Sequence, residues 1–323
     1  MESLIDLSAT DSKRLISIVF CAFNESGSVL PLIDELQKVA KVESTYDFEF
    51  IGIENGSLDD TFDKLESVAH EDSRIRVVQL SRNFRLDGGL TAGLNAARGD
   101  ACVLMSADLE DPPELIHNFL RHWEQGYENV YGIVRARPGV SWQRRLNSKL
   151  FYSVASFLSG RTLPVGASDF RLVDRVAVDS VVEMRERNRF VRGLFAWIGF
   201  RSIGVPFDRG QRFAGVSQAH SMKVIDLAVR GILAHSVLPL HLITVFGICL
   251  FVLSVVSVPI FGIAWIIWGV PFAGYGTIVA LSGIGFGSLA LMLGVIAEYV
   301  ALIYEESKQR PLYLIRKEIN YRD

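Results

Sequence analysis

From Gly231 to Ala297 the chain contains no Asp, Glu, Lys or Arg, although 33 basic and 36 acidic residues are spread over the rest of its 323 positions. A helix pair in water needs a polar face, so this stretch belongs in a different solvent. It divides into two apolar runs, Leu238 to Ile267 and Gly276 to Ile303, separated by a short aromatic and Pro/Gly segment from Trp268 to Tyr275. Each run exceeds the roughly 20 residues that cross a bilayer core. The expected element is a hairpin of two transmembrane helices. Basic residues flank it on one side only, Lys223 and Arg230 before it and Lys308, Arg310, Arg316 and Lys317 after it. The positive-inside rule therefore puts both termini in the cytoplasm. Met1 to Lys13 has no apolar signal-peptide core.

The preceding 230 residues suffice for one α/β domain with a sizeable core. Apolar, β-rich runs at Leu15–Phe23, Phe48–Ile53, Ile75–Leu80, Ala101–Met105 and Val130–Val134 alternate with helix-like segments near Val29–Val39, Asp60–Ala69, Leu90–Ala97 and Glu114–Gln125. That alternation predicts crossover units and a mostly parallel sheet flanked by helices. A helical pattern follows the basic stretch Arg135–Arg145, and His220–Ser236 reads as an amphipathic juxtamembrane helix. The expected organisation is a soluble domain over 1–218, the amphipathic helix over 219–236, the two spans over 237–304 and a tail over 305–323. Cys21, Cys102 and Cys249 show neither metal spacing nor a pairing pattern and fit reduced thiols. The near-balanced charge, net −3, offers no basic field for nucleic acid.

Open α/β sheets bind ligands at the C-terminal ends of their strands. There this sequence places Phe23-Asn24-Glu25-Ser26-Gly27, then Glu54-Asn55-Gly56-Ser57-Leu58-Asp59, then Ser81-Arg82-Asn83-Phe84, then Ser106-Ala107-Asp108-Leu109-Glu110-Asp111-Pro112-Pro113. Taken singly, each reads equally as a turn and a helix cap. Together they outline a cleft with a carboxylate pair, suited to a nucleotide diphosphate held through a divalent ion.

These motifs, followed by Asp169-Phe170-Arg171-Leu172, Arg189-Phe190-Val191-Arg192-Gly193 and the apolar hairpin, resemble the family 2, GT-A fold polyprenyl-phosphate glycosyltransferases, which include dolichol-phosphate mannose synthases and bactoprenol glucosyltransferases. The resemblance runs from about Leu15 to Leu314. It implies that Phe23, Asn24, Glu25, Glu54, Gly56, Ser57, Asn83 and Ala107 border the nucleotide sugar. Asp108 and Glu110 would hold a divalent metal, Mg2+ or Mn2+, with Asp108, Asp169 and Arg171 as the catalytic set. Arg135, Arg144 and Ser148 would meet the phosphate of a polyprenyl acceptor. The implied activity is inverting transfer from a nucleotide diphosphate sugar, most readily a UDP-sugar, to undecaprenyl phosphate at the cytoplasmic face of a bacterial inner membrane, by a multi-pass protein that forms homo-oligomers.

Departures from that pattern bear on the metal. Ser106 stands where the family has the first Asp of Asp-x-Asp, and Glu110 where it has Gln, so the number of carboxylates is preserved. We read this as a relocated ligand, against the alternative of weakened metal binding. Cys21, Glu54-Asn55 and Gln218 also depart from common family residues. A catalytically weak scaffold that binds the lipid carrier or a partner membrane protein is the competing function. A processive synthase of the same fold is disfavoured, because the chain has no Gln-x-x-Arg-Trp motif. The cluster Arg185, Arg187, Arg189 and Arg192 reads either as a solvated helix face or as a face toward anionic headgroups or the acceptor phosphate.

Overall fold

The computed structural model describes residues 13–135, 166–187, 189–210, 238–268 and 274–321. These fall into two compact units, one built on a sheet and including residues 310–321, the other made of the helices between 238 and 309.

The sheet unit runs β1 (Leu15–Ala22), α1 (Val29–Val42), β2 (Asp47–Glu54), α2 (Thr61–Glu71), β3 (Ile75–Leu80), α3 (Arg85–Ala96), β4 (Ala101–Ser106), α4 (Leu115–Glu124), β5 (Asn129–Val134), β6 (Ala167–Asp174), α5 (Arg175–Glu183), α6 (Val191–Trp197), β7 (Ser202–Phe207) and, after the helical unit, β8 (Ile315–Ile319). The eight strands lie in the order β7-β5-β6-β4-β1-β2-β3-β8. Parallel pairing joins β1 to β2 and β4, β2 to β3, and β5 to β7. β6 runs antiparallel to both β4 and β5, and β8 antiparallel to β3. The sheet is thus mixed. The five strands and four helices legible in the sequence are present, and β6, β7 and β8 are added to them.

Alternation along each strand builds two cores. Ile16, Ile18 and Phe20 of β1 point to the face covered by α1, α2 and α4, whereas Val19 and Cys21 point to the face covered by α3, α5 and α6. Burial on both faces is why the central strands read as continuous apolar runs. α3 begins at Arg85, earlier than the apolar pattern suggests, because Gly88-Gly89 lies inside it. Gly89 and Gly93 permit close helix–sheet contact: a Cβ at Gly93 would lie 2.1 Å from Val19 Cγ1, and one at Gly89 2.4 Å from Cys21 Sγ. Cys21 and Cys102 are buried, and burial pushes both thiols up to about 12, so they are inert.

The second unit consists of α7 (Leu238–Trp268) and α8 (Tyr275–Ser307). Among the described residues one stretch, Leu281–Ser307, is long and apolar enough to cross a membrane. The expected helix after Arg145, the amphipathic segment 219–236, and Arg144 and Ser148 lie outside the described residues.

Candidate active site

The carboxyl ends of β1 to β5 and β7 share one edge of the sheet, and the antiparallel β6 brings its amino end to that same edge. Three loops interlock there. Asn24 takes a left-handed conformation (φ 55°), accepting at Oδ1 from Leu58 N–H at 2.8 Å while its own N–H donates to Ser57 Oγ at 3.0 Å. The Glu25 N–H donates to Thr61 Oγ1, and its carboxylate accepts from Ser28 Oγ at 2.7 Å. Glu54, buried, accepts the Ser57 N–H. Asn55 ties this loop to the next by accepting from Phe84 N–H at 2.9 Å and donating to the Arg85 carbonyl at 2.8 Å. Gly56 has φ 74°, and a Cβ there would meet the Arg82 carbonyl carbon at 2.3 Å. Only glycine permits that approach. Asn83 Oδ1 accepts from Arg85 N–H, and the Arg82 guanidinium lies 4.0 Å from the Phe84 ring. Phe23, Asn24, Glu25, Glu54, Gly56, Ser57 and Asn83 therefore form one continuous lip.

The acidic end of β4 adjoins it, since Ala107 N–H donates to the Cys21 carbonyl. Ala107 and Asp108 are buried, and Asp108 Oδ1 accepts from Glu110 N–H at 3.2 Å across Leu109, whose φ is 58°. Arg209, two residues after β7, closes on this turn. Its Nε lies 3.0 Å from Asp111 Oδ1 and 3.5 Å from Glu110 Oε2. Burial works to lower the Arg209 pKa, but Asp111, Glu110 and Asp108 outweigh it and hold the guanidinium firmly charged. Burial raises Asp111 despite that partner.

On β6, Asp169 is clamped by Arg192 of α6, with Nε at 3.0 Å from Oδ1 and Nη2 on Oδ2. Burial would raise the Asp169 pKa, yet Arg192, with Arg171 and Arg209, keeps it below the usual carboxylate range. Arg171, two residues on, is buried with Nη2 on the Ser168 carbonyl at 2.9 Å and its guanidinium 5.2 Å from the Phe195 ring. Burial pushes it down to about 10. Arg135 follows β5, is exposed and pairs with Asp208 at 3.3 Å.

Sequence reasoning did not single out Asp87, and it quoted Asn55 and Asp111 in the strand-end loops without giving them a role. Asp111 carries a readable signal, a third carboxylate in one acidic turn, whereas the partnership of Asp169 with Arg192 and the approach of Arg209 to β4 depend on strand order and have no local signature. The basic cluster is divided by the structure: Arg192 holds Asp169, Arg189 donates to the Val181 carbonyl, and Arg187 donates to the Arg310 carbonyl at 2.7 Å. It is not a uniformly solvated face.

The β4 turn presents oxygen donors of the kind a divalent cation takes. Among the described residues no group of three or more His, Cys, Asp or Glu side chains is gathered for a metal. Two hard carboxylates, Asp108 and Glu110, nonetheless suit Mg2+ or Mn2+, which are commonly held by one or two carboxylates together with substrate phosphate oxygens. The residues fit a metal shared between protein and substrate.

The family model for glycosyl transferase family 2 matches residues 17–182. An uncharacterized glycosyltransferase of Synechocystis sp. is 38% identical over 302 residues, covering 93% of this chain and 94% of that protein. The bactoprenol glucosyl transferase of Shigella phage SfV is 31% identical over 309 residues, covering 94% and 98%. Among solved structures, glucosyl-3-phosphoglycerate synthase from Mycobacterium tuberculosis, crystallised with Mn2+, UDP and phosphoglyceric acid, shares the fold with a TM-score of 0.51 at 20% identity, over 68% of this chain and 76% of that one.

Proposed function

Because this chain belongs to glycosyl transferase family 2 and is a glycosyltransferase, we propose that it transfers a sugar from a UDP-sugar to undecaprenyl phosphate at the cytoplasmic face of the inner membrane. The observation that carries this reading is the meeting, on one sheet edge, of the interlocked Asn24, Glu54 and Asn83 loops with the Asp108–Asp111 turn and the Asp169–Arg192 pair. Relatives named as bactoprenol glucosyl transferases, aligned along nearly their whole length, support the lipid acceptor. The neighbour solved with Mn2+ and UDP supports a nucleotide diphosphate and a divalent ion.

The division of labour follows from charge. A lipid phosphate is already an anionic nucleophile, so positioning and charge neutralisation matter more than a strong base. In this reading Phe23, Asn24, Glu25, Glu54, Gly56, Ser57, Asn83 and Ala107 border the nucleotide, while Asp108 and Glu110 hold the cation. When bound, the cation offsets the charge that builds on the departing diphosphate. Asp169, kept ionised by Arg192, faces the sugar, with Arg171 beneath it on the same face of β6. Arg209 holds the acidic turn in shape through Asp111. Arg135, with Arg144 and Ser148 from outside the described residues, receives the acceptor phosphate. Attack opposite the leaving diphosphate inverts the anomeric centre.

Membrane topology has support independent of hydropathy. β8 follows α8 yet pairs with β3, in the same sheet as the strands that precede α7. That pairing supports placing both flanks of the helical segment on one side of a membrane, and with it an even number of crossings. We assign α7 and α8 as a two-span hairpin of an inner-membrane homo-oligomer, with 1–218 and 305–323 cytoplasmic and 219–236 at the surface. Reporter fusions at both termini are expected to read as cytoplasmic; a periplasmic C-terminus would eliminate the hairpin.

The decisive experiment incubates the purified full chain with undecaprenyl phosphate and a panel of nucleotide sugars and looks for lipid-linked sugar by mass spectrometry. Product from a UDP-sugar is expected, and failure with every donor would favour a lipid-binding scaffold. For Arg135→Ala the KM for the lipid phosphate should rise several-fold while the donor's Kd stays within about threefold, roughly 0.7 kcal/mol. Collapse of donor binding instead would move Arg135 to the diphosphate.

A further inference from the structure

A half-buried carboxylate at the start of α3 has no part in that reading. Asp87 sits in the first turn of α3, three residues beyond Phe84 and the Asn83 lip, and its Oδ1 accepts the Val191 N–H at 2.8 Å. Val191 is the first residue of α6, whose N-cap, Phe190, supplies no side-chain acceptor. A carboxylate from α3 therefore caps α6 from outside it, where an anion is favoured by the exposed N–H groups and the helix dipole. The next residue along α6 is Arg192, the clamp on Asp169. One continuous linkage thus runs from the nucleotide-side lip through Asp87 and the start of α6 to the sugar-side carboxylate.

We propose that Asp87 is a positioning residue for transfer: its ionised carboxylate fixes the first turn of α6, and through it holds Arg192 on Asp169. The role rests on the family 2 reaction proposed above. The groups facing Asp87 are Asp169 from β6, Arg192 from α6, Arg189 from the segment before α6 and the Cys21 thiol from β1. Burial, with Asp169 adding to it, pushes Asp87 up to about 6 against the pull of the Val191 N–H, Arg192 and Arg189. The cap is therefore ionised above about pH 6 and neutral below it. A neutral acceptor binds an N–H more weakly than an ionised one and gives up the favourable charge at the helix start.

Two measurements on the full-length protein test this. In the native chain kcat should fall about tenfold as pH drops through 6, with donor KM within threefold. Asp87→Asn, which mimics the protonated form, should sit at the low rate from pH 5 to 8 without that limb, and Asp87→Glu should restore part of both rate and limb. Hydrogen exchange of peptides covering 189–195, corrected for intrinsic rates, should show native protection lost below about pH 6 and absent at every pH in Asp87→Asn. An Asn variant that keeps the native acid limb, or exchange at 189–195 that is the same in native and Asn proteins, overturns the proposal. The exchange profile needs no turnover, so a chain that makes no lipid-linked sugar would sink the transfer reaction while the link from Asp87 to α6 is still decided.

Discussion

Replacing Asp108 by Asn is expected to reduce sugar transfer by about 10²–10³-fold or more, a loss of roughly 3–4 kcal/mol of transition-state stabilisation. The side chain is buried in the β4 turn and accepts the Glu110 N–H, a bond that the Asn carbonyl retains. The fold should therefore survive and the melting temperature move little. In the proposed reaction the variant would lose one of two negative charges available to a cation, which would offset charge on the leaving diphosphate. Glu110→Gln should damage turnover severely as well, because Ser106 offers no charge in compensation. Restoring the common family arrangement with Ser106→Asp plus Glu110→Gln should keep activity. Steady-state rates with and without excess chelator check the assignment: transfer that continues undiminished in chelator would show that Asp108 acts without a metal.

The second large effect concerns stability. Deleting residues 315–323 removes β8, an edge strand paired antiparallel with β3 from Val77 to Leu80. It also removes buried Ile319, the Lys317–Glu66 ion pair at 2.6 Å, and Asn320, whose Nδ2 donates to the Ala69 and Ile75 carbonyls at 2.5 and 2.8 Å. The Tyr321 ring, 4.6 Å from the guanidinium of buried Arg76, goes with them. Several backbone hydrogen bonds at about 1 kcal/mol each, with about 2 kcal/mol for burying Ile319, come to on the order of 5 kcal/mol. That approaches the whole stability of an ordinary domain, about 5–15 kcal/mol. The truncated protein should unfold at markedly lower denaturant concentration or aggregate through the bared β3 edge. Unfolding by urea at the native midpoint would show that the tail is dispensable.

The tail illustrates why parts of this chain resist reading by pattern. Ile315-Arg316-Lys317-Glu318-Ile319 is charged and mostly exposed, and it becomes a strand because β3 offers an unpaired edge, not because of its own hydrophobicity. β6 is similar. Its sequence Ala167–Asp174 carries Asp169 and Arg171 toward the α6 face, where Arg192 and the Phe195 ring receive them. Charges inside a strand contradict the apolar run expected of a buried one, and their burial depends on partners the strand pattern does not reveal: Arg192 for Asp169, and the Ser168 carbonyl with the Phe195 ring for Arg171.

By itself the sequence determined the apolar helical segment, the five strands and four helices of the first 134 residues, and the strand-end loops that form the continuous lip at the sheet edge. Each rests on local physics: hydrophobic period sets the elements, and Asn, Ser, Gly and Asp mark the turns where a parallel sheet presents its ligand edge. Tertiary structure decided what depends on strand order. The antiparallel β6 brings Asp169 to that edge, the parallel pairing of β5 and β7 delivers Arg209 to the acidic turn, and the return of β8 to β3 binds the chain's end into the sheet. Those pairings join residues dozens to hundreds of positions apart, and the hydrogen bonds and charge pairs that select them exist only once the sheet has closed.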